Sequence, residues 1–165
     1  MTEKMRRARK AMKEALLSII KDKNRIITGQ IDPQYLSDNL GRKKGTAEAV
    51  VFPVSTEEVS GIMRYAWENN LPVTPRGAGT NLVGSTVPSG HGIVLDVSLM
   101  NHVLELDEET FTATVEPGVV LEDFQAYVES KGLFYPPDPG EKKATIGGNI
   151  STNAGGMRAV KYGVT

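Results

Sequence analysis

Cysteine is missing altogether from the 165 residues. That absence removes disulfides, thiolate metal sites and a cysteine nucleophile, and it leaves the compartment undetermined by redox logic, with a cytoplasmic location as the default. Histidine is almost missing too: His91 and His102 are the whole supply. No apolar run approaches the ~20 residues that span a bilayer. The N-terminus lacks the apolar core and small-residue cleavage site of a secretory leader. No excess of either charge exists, with 19 Lys and Arg against 20 Asp and Glu. A dedicated nucleic-acid binder needs a basic field, so that class is set aside, and no metal site is expected. What is present, 39% hydrophobic and 24% charged residues in 17.9 kDa, suits one folded domain with an appended arm.

The arm is residues 1–44. Met5, Ala8, Met12, Leu16 and Ile19 recur at helical spacing, predicting a helix over 1–23. Met1 to Arg25 carries nine basic residues against three acids. Such a helix packs its apolar stripe on the body with the charges solvated, or offers a basic face to a partner protein or a membrane surface. Asp32-Pro33 starts a short helix through Ser37, and GRKKGTAE is a polar connector. AVVFP (49–53) and LPVTP (71–75) read as strands around a helix at 55–70. Ser55 and Glu58 form its capping box, and Val59, Ile62, Met63, Ala66 and Trp67 its apolar stripe. Strand, helix, strand at this spacing is a βαβ unit with parallel strands.

Glycine, 17 residues, concentrates at 77–92 and 140–163. The first cluster, PRGAGTNLVGST at 75–86, leaves the C-terminal end of the second strand, where open α/β sheets hold ligands. A dinucleotide fingerprint fails: Leu82 stands where the third glycine belongs, and Gly84, Pro88, Gly90 and Gly92 forbid the following helix. A Walker loop fails because no lysine occurs between 45 and 130. What remains is a glycine loop whose backbone N–H groups can converge on an anion, or a plain turn. Beyond it, GIVLDVS (92–98) is a central strand, residues 102–118 a hairpin turning at 107–110, and 119–132 an amphipathic helix closed by Gly132.

PRGAGTNL, followed by PPDPGEKKATIGGNISTNAGG and KYG, resembles the FAD-binding domain of the FAD-linked oxidases of vanillyl-alcohol oxidase and p-cresol methylhydroxylase type (PCMH-type). The resemblance is nearest to the branch that holds D-lactate dehydrogenase, D-2-hydroxyglutarate dehydrogenase and the D-subunit of glycolate oxidase, and it covers 45–165. It implies an α+β fold: a βαβ-based subdomain over 45–100 and the start of a mostly antiparallel one over 101–165. It implies FAD as cofactor and, for a longer parent, oxidation of a 2-hydroxy acid by hydride transfer to flavin N5. The family's substrate-binding cap domain is expected beyond Thr165, so no catalytic residue is assigned here and the electron acceptor is open. Another alcohol or a sugar lactone as substrate, and a non-catalytic flavin-fold scaffold, remain alternatives.

Matched residue by residue, the resemblance places the FAD diphosphate on Arg76, Gly77, Ala78, Gly79, Thr80, Asn81 and Leu82, with Gly84 and Ser85 continuing the wall. Gly77 and Gly79 are expected to be glycine because a Cβ would block the phosphates. Pro137 and Asp138 would pass the middle of the cofactor. Backbone N–H groups of Thr145, Ile146, Gly147 and Gly148 would bond the flavin ring, and Ser151, Thr152, Gly155 and Gly156 would complete its pocket. Members with covalent flavin carry histidine where Thr80 stands, so FAD is expected to be noncovalent. Asn149 and Asn153 are open between site and turn. His91, Arg158 and Lys161 are expected at the surface, His102 at the start of a strand, and Asp96 and Glu105 to Glu109 as strand-end and turn solubilisers.

Overall fold

The computed structural model describes residues 3–165, with the side chains of Lys4 and Met5 excepted. The chain divides into two units, Met1–Val97 and Ser98–Thr165. The first holds a four-stranded sheet in the order β1-β2-β4-β3, made by Ile26–Thr28, Ala47–Val51, Gly92–Asp96 and Val73–Arg76 respectively. β2 and β3 both run parallel to β4, which lies between them, and β1 is antiparallel to β2. The expected parallel βαβ unit is therefore present, with β4 inserted at its centre. All five residues of β4 are buried, as a two-sided central strand demands.

Two helices cover this sheet. α1 (Glu3–Ile20) buries Met12, Leu16 and Ile20 and packs the half-buried Ile19 on the core, so the expected stripe holds from Met12 onwards, while Ala8 is exposed. Met5 lies outside the described side chains. α2 (Thr56–Glu68) buries Ile62 and Ala66 with Val59 half-buried, while Met63 and Trp67 face solvent at 47% and 85% exposure. Met12, Leu16, Ile20, Ala49, Val51, Ile62, Ala66, Ile93 and Leu95 form one core. Each fully buried aliphatic side chain in it contributes about 2 kcal/mol.

The cap of α2 departs from a plain capping box. Ser55 Oγ accepts from the Glu58 N–H, at 3.3 Å, but the Glu58 carboxylate accepts from the N–H of Val54 at 2.9 Å, one residue earlier than expected. It also takes a two-pronged bond from Arg25, Nη1 to Oε2 at 2.6 Å and Nη2 to Oε1 at 2.8 Å. Arg25 further donates to the Ile20 and Phe52 carbonyls, so one guanidinium ties the end of α1, the exit of β2 and the start of α2.

The second unit starts with a hairpin, β5 (Val103–Asp107) and β6 (Thr112–Val115), whose turn is closed by Asp107 Oδ1 accepting from the N–H groups of Glu109 and Thr110. α3 (Leu121–Glu129) packs Leu121, Phe124 and Val128 on Val119 and Ile146. Its end is a Schellman cap: Leu133 N–H donates to Val128 O and Gly132 N–H to Glu129 O, both at 3.0 Å, with Gly132 at φ +74°. Short helices α4 (Ile146–Ser151) and α5 (Ala159–Tyr162) complete the unit. With a mixed sheet in one unit and an antiparallel hairpin in the other, each with its own helices, the fold is α+β as expected.

The Arg25–Glu58 bond predicts a pH signature. Arg25 holds the Glu58 carboxyl below its ordinary value, mainly through their hydrogen bond. The stabilisation is complete above the unfolded pKa and is lost as pH falls through the lowered folded one. Glu58→Gln is expected to cost about 2 kcal/mol at neutral pH by urea unfolding, with the difference from wild type closing towards pH ~3. A pH-independent difference would show that packing, not charge, carries the effect.

Candidate functional site

β3 ends at Arg76, whose carbonyl still accepts from the Val97 N–H at 2.9 Å, and the chain then leaves the sheet. Over the next six residues, Gly77 to Leu82, no backbone N–H has an acceptor among the described residues. The run is ended by Asn81, whose Oδ1 accepts from Val83 N–H at 2.9 Å and Ser85 N–H at 3.1 Å. Its carbonyl accepts from Asn39 N–H at 3.2 Å, which fastens the loop to the 38–45 connector. Asn81 thus commits its oxygens to shaping the loop and keeps its Nδ2 group as a donor, and the Thr80 hydroxyl has no protein partner among the described residues. Six successive unpaired donors on a half-exposed loop are the requirement for an oxyanion cradle.

Arg76 stands at the foot of this loop. Its side chain turns inward and the residue is 8% exposed. Nε lies 3.8 Å from Asp96 Oδ2, an ion-pair distance beyond hydrogen bonding, and the guanidinium sits 5.5 Å from the Tyr35 ring centroid. A Cβ on Gly79 would fall on that guanidinium. Gly79, at φ +74°, is therefore glycine for its backbone conformation and for the room it leaves to Arg76, in addition to the expected approach of phosphate. Asp96 is likewise no strand-end solubiliser: it is 4% exposed, opposite a buried cation. Burial, with Asp96 adding to it, pushes the Tyr35 phenol above its ordinary value against the pull of Arg76.

The second glycine-rich segment lies in the other unit. Its sequence shows only a density of hydrogen-bonding groups, whereas the structure folds it into α4, capped by Thr145 Oγ1 accepting from Gly148 N–H at 3.2 Å. Ile146 N–H goes to Val119 O at 2.8 Å and Gly147 N–H to Pro117 O at 3.0 Å. These three groups, expected to bond a flavin ring, have acceptors within the protein. Ser151 and Thr152 donate their hydroxyl protons to the carbonyls of Gly147 and Gly148, at 2.7 and 3.0 Å. A Cβ on Gly147 would crowd Pro117, and one on Gly156 would overlap the Asp138 carbonyl, so both permit close packing; Gly155 has Val164 at 3.0 Å from the Cβ position. A Cβ on Gly148 would meet Thr145 Oγ1 tightly, at 3.1 Å.

Asp138 is 7% exposed, paired with Lys142 and with Arg158 at 3.4 Å, and Pro137 O accepts from Gln125 at 3.2 Å. Arg158 is therefore more than a surface cation: it also covers the Phe134 ring at 5.1 Å. Lys161 lies over Tyr162, and the exposed His91 and His102 pair with Glu48 and Glu116.

Three buried side-chain atoms lack a hydrogen-bond partner among the described residues: Arg76 Nη1, Thr86 Oγ1 and Asn149 Nδ2. A buried unpaired donor is costly, so each is a place where an external acceptor would offset desolvation. Thr86 escapes sequence reasoning; its only signal is a small hydroxyl residue following the glycine loop. In the first unit the donor-rich loop fits the diphosphate of a cofactor such as FAD. In the second unit, taken by itself, Asn149 offers one buried amide donor. Among the described residues no cluster of His, Asp or Glu suits a metal ion.

The Arg76–Gly79 packing predicts a non-additive pair. Gly79→Ala is expected to destabilise by about 2 kcal/mol or more, from the positive φ plus the collision. In an Arg76→Ala background the collision term disappears, and Gly79→Ala should cost at least ~1 kcal/mol less in urea unfolding. Strict additivity would refute the packing.

Comparison with known proteins shows the family. The model of a family described as an FAD binding domain matches residues 47–165. Glycolate oxidase subunit GlcD of Bacillus subtilis is 51% identical over 132 residues, 79% of this chain and 28% of that protein. D-lactate dehydrogenase of Anaerostipes hadrus is 46% identical over 86% of this chain and 30% of its own length, and the mitochondrial D-2-hydroxyglutarate dehydrogenase of Arabidopsis thaliana 37% over 88% and 25%. The chain therefore spans less than a third of these relatives. Among solved structures, 6-hydroxy-D-nicotine oxidase from Arthrobacter nicotinovorans superposes with a TM-score of 0.71 at 26% identity, over 84% of this chain and 30% of that one. Alkyldihydroxyacetonephosphate synthase reaches 0.76 over 86% and 29%; at 24% identity it shows the shared PCMH-type fold alone. By its family match and these relatives, the chain belongs to the FAD binding domain family of FAD-linked oxidoreductases, related to D-lactate dehydrogenase, D-2-hydroxyglutarate dehydrogenase and the GlcD protein of glycolate oxidase.

Proposed function

We propose that this chain is the FAD-binding portion of a flavin-dependent oxidoreductase that oxidises a 2-hydroxy acid of glycolate or D-lactate type. The observation that carries it is the run of unpaired N–H donors from Gly77 to Leu82. When bound, FAD supplies the acceptor for the hydride that such an acid loses at Cα. The chain's own residues bind and orient: the loop N–H groups and the Thr80 hydroxyl hold the diphosphate, and Arg76 stiffens the loop from below. Asn149 Nδ2, buried and unpaired, offers a donor in the second glycine segment.

The proton of the substrate hydroxyl needs a base with a pKa tuned near neutrality. The carboxyls whose pKa the fold moves, Glu57, Glu58, Asp107 and Glu116, are all held below their ordinary values by hydrogen bonds. Burial pushes Tyr35, Tyr65 and Tyr135 the other way, above theirs. None of these shifts moves a group towards neutrality, and this chain by itself is proposed to turn over no substrate and to hold FAD only weakly, since an uncovered flavin ring stays wet.

Attachment is proposed to be noncovalent, since the loop carries Thr80 and the chain has no cysteine. The exposed Arg6, Arg7, Lys10 and Lys13 of α1 suit contact with an acidic partner protein or an anionic membrane surface, with the location cytoplasmic. No helix among the described residues is long and apolar enough to cross a membrane.

Two outcomes test this. After incubation with FAD and acid precipitation, all flavin absorbance is expected in the supernatant; flavin retained in the washed pellet would show covalent attachment. With FAD, a dye acceptor and a panel of D- and L-2-hydroxy acids, the chain is expected to give no rate above free flavin. Turnover would place the base among residues to which only a structural role is given above.

A further inference from the structure

Trp67 is the single tryptophan of the chain, and α2 holds it 85% exposed. Met63, one turn earlier, is 47% exposed, and Ser60 and Arg64 on the same side of the helix are exposed with it. The indole has no aromatic or cationic partner among the described residues, whose ring contacts are all made by tyrosines and phenylalanines. A single apolar residue on a surface is ordinary. Trp, Met and Arg side by side are the residue types that the centres of protein interfaces favour.

The charges at this face are unsatisfied as well. Arg64 and Glu68 stand one turn apart, yet neither has an ion pair among the described residues. Their order explains it, because acid before base is the better sense along a helix. Glu3 and Arg7 of α1 have that order and meet at 2.6 Å; Lys10 and Glu14 have the reverse and stand at 3.9 Å. Arg64 before Glu68 is also the reverse, and both charges are left for a group outside the helix.

An apolar centre with a cation on one flank and an anion one turn further on is its own complement. Laid antiparallel about a two-fold axis at the level of Ala66, two α2 helices set Arg64 of each copy opposite Glu68 of the other. The same register brings the two Trp67 rings together beside the axis, with Met63 flanking them. An anionic membrane fits less well, since the exposed Glu57 and Glu68 outnumber Arg64 on this side of the helix. We propose that the Met63–Trp67 face of α2 docks on the same face of a second copy of this chain, antiparallel, with Arg64 and Glu68 pairing across the contact. The inference is independent of the flavin reading. One helix per copy makes a small interface, so the dimer is weak, with a dissociation constant on the order of tens of micromolar.

The test follows Trp67 emission and sedimentation of the 165-residue chain from about 1 µM to about 1 mM. With rising concentration the emission is expected to move to the blue and the mass to rise from 17.9 kDa towards twice that value. Trp67→Ala, read by mass, should abolish the rise. Arg64→Glu and Glu68→Arg should each weaken association about tenfold, since like charges then meet at both ends of the contact. An equimolar mixture of these two variants should recover it, because opposite charges then meet at both ends. All three positions are exposed, and urea unfolding checks that stability is kept. A mass of one chain throughout would overturn the proposal, as would association that survives Trp67→Ala. A mixture that associates no better than either variant alone would overturn the charge pairing. Emission that moves only on adding phosphatidylglycerol vesicles would give the face to a membrane and overturn the second copy as occupant.

Discussion

An unpaired backbone N–H is the quantity on which the first unit is organised. A parallel strand must end somewhere, and at Arg76 the ladder with β4 stops after one last bond to Val97. A loop would ordinarily commit its next donors to turns. Here the oxygens of Asn81 take up only Val83, Ser85 and Asn39, leaving Gly77 to Leu82 unpaired among the described residues. Asn81 closes the loop's far end from within, and the rest of its shape is imposed from outside: by the guanidinium beneath Gly79, the Lys43 stem on Gly84, and the connector bonded at Asn81.

The cost of this arrangement is a buried cation. Arg76 is deprived of water and paired with Asp96 at 3.8 Å, short of hydrogen bonding, with Nη1 unpaired. Replacing such a pair with apolar residues is commonly neutral or stabilising. Its use is therefore better sought in the loop it supports than in stability. The stability comes from elsewhere in the unit, from the α1–α2–sheet core and the Arg25–Glu58 junction that binds three elements at one point.

Local chemistry is legible in the sequence, and tertiary direction is not. Ser55, Asp32, Gly132 and the 107–110 turn act through neighbours within a few residues, and each does so in the structure. The glycine loop is legible as donor-rich because the same few residues set both composition and conformation. By contrast, nothing local says that Arg76 points inward, that Asp96 is buried opposite it, or that Lys43 crosses forty residues to reach Gly84. β1 leaves no signal because three residues, Ile26–Thr28, are too few to show a period. Helical spacing puts Trp67 in the core, but spacing gives a face and not its width, and the ring is exposed. In the second segment the donors of Ile146 and Gly147 look available in sequence, yet Val119 and Pro117, far earlier in the chain, already accept from them.

Amide-resolved NMR of the isotopically labelled chain tests the central claim most directly. On titration with FAD, and separately with inorganic pyrophosphate, the amide resonances of Gly77 to Leu82 should shift and their exchange with solvent should slow, while those of Ile146, Gly147 and Gly148 are protected from the outset. Resonances of Gly77 to Leu82 that neither move nor gain protection at saturating FAD would contradict the account, since the donors on which it is built would then be serving water alone.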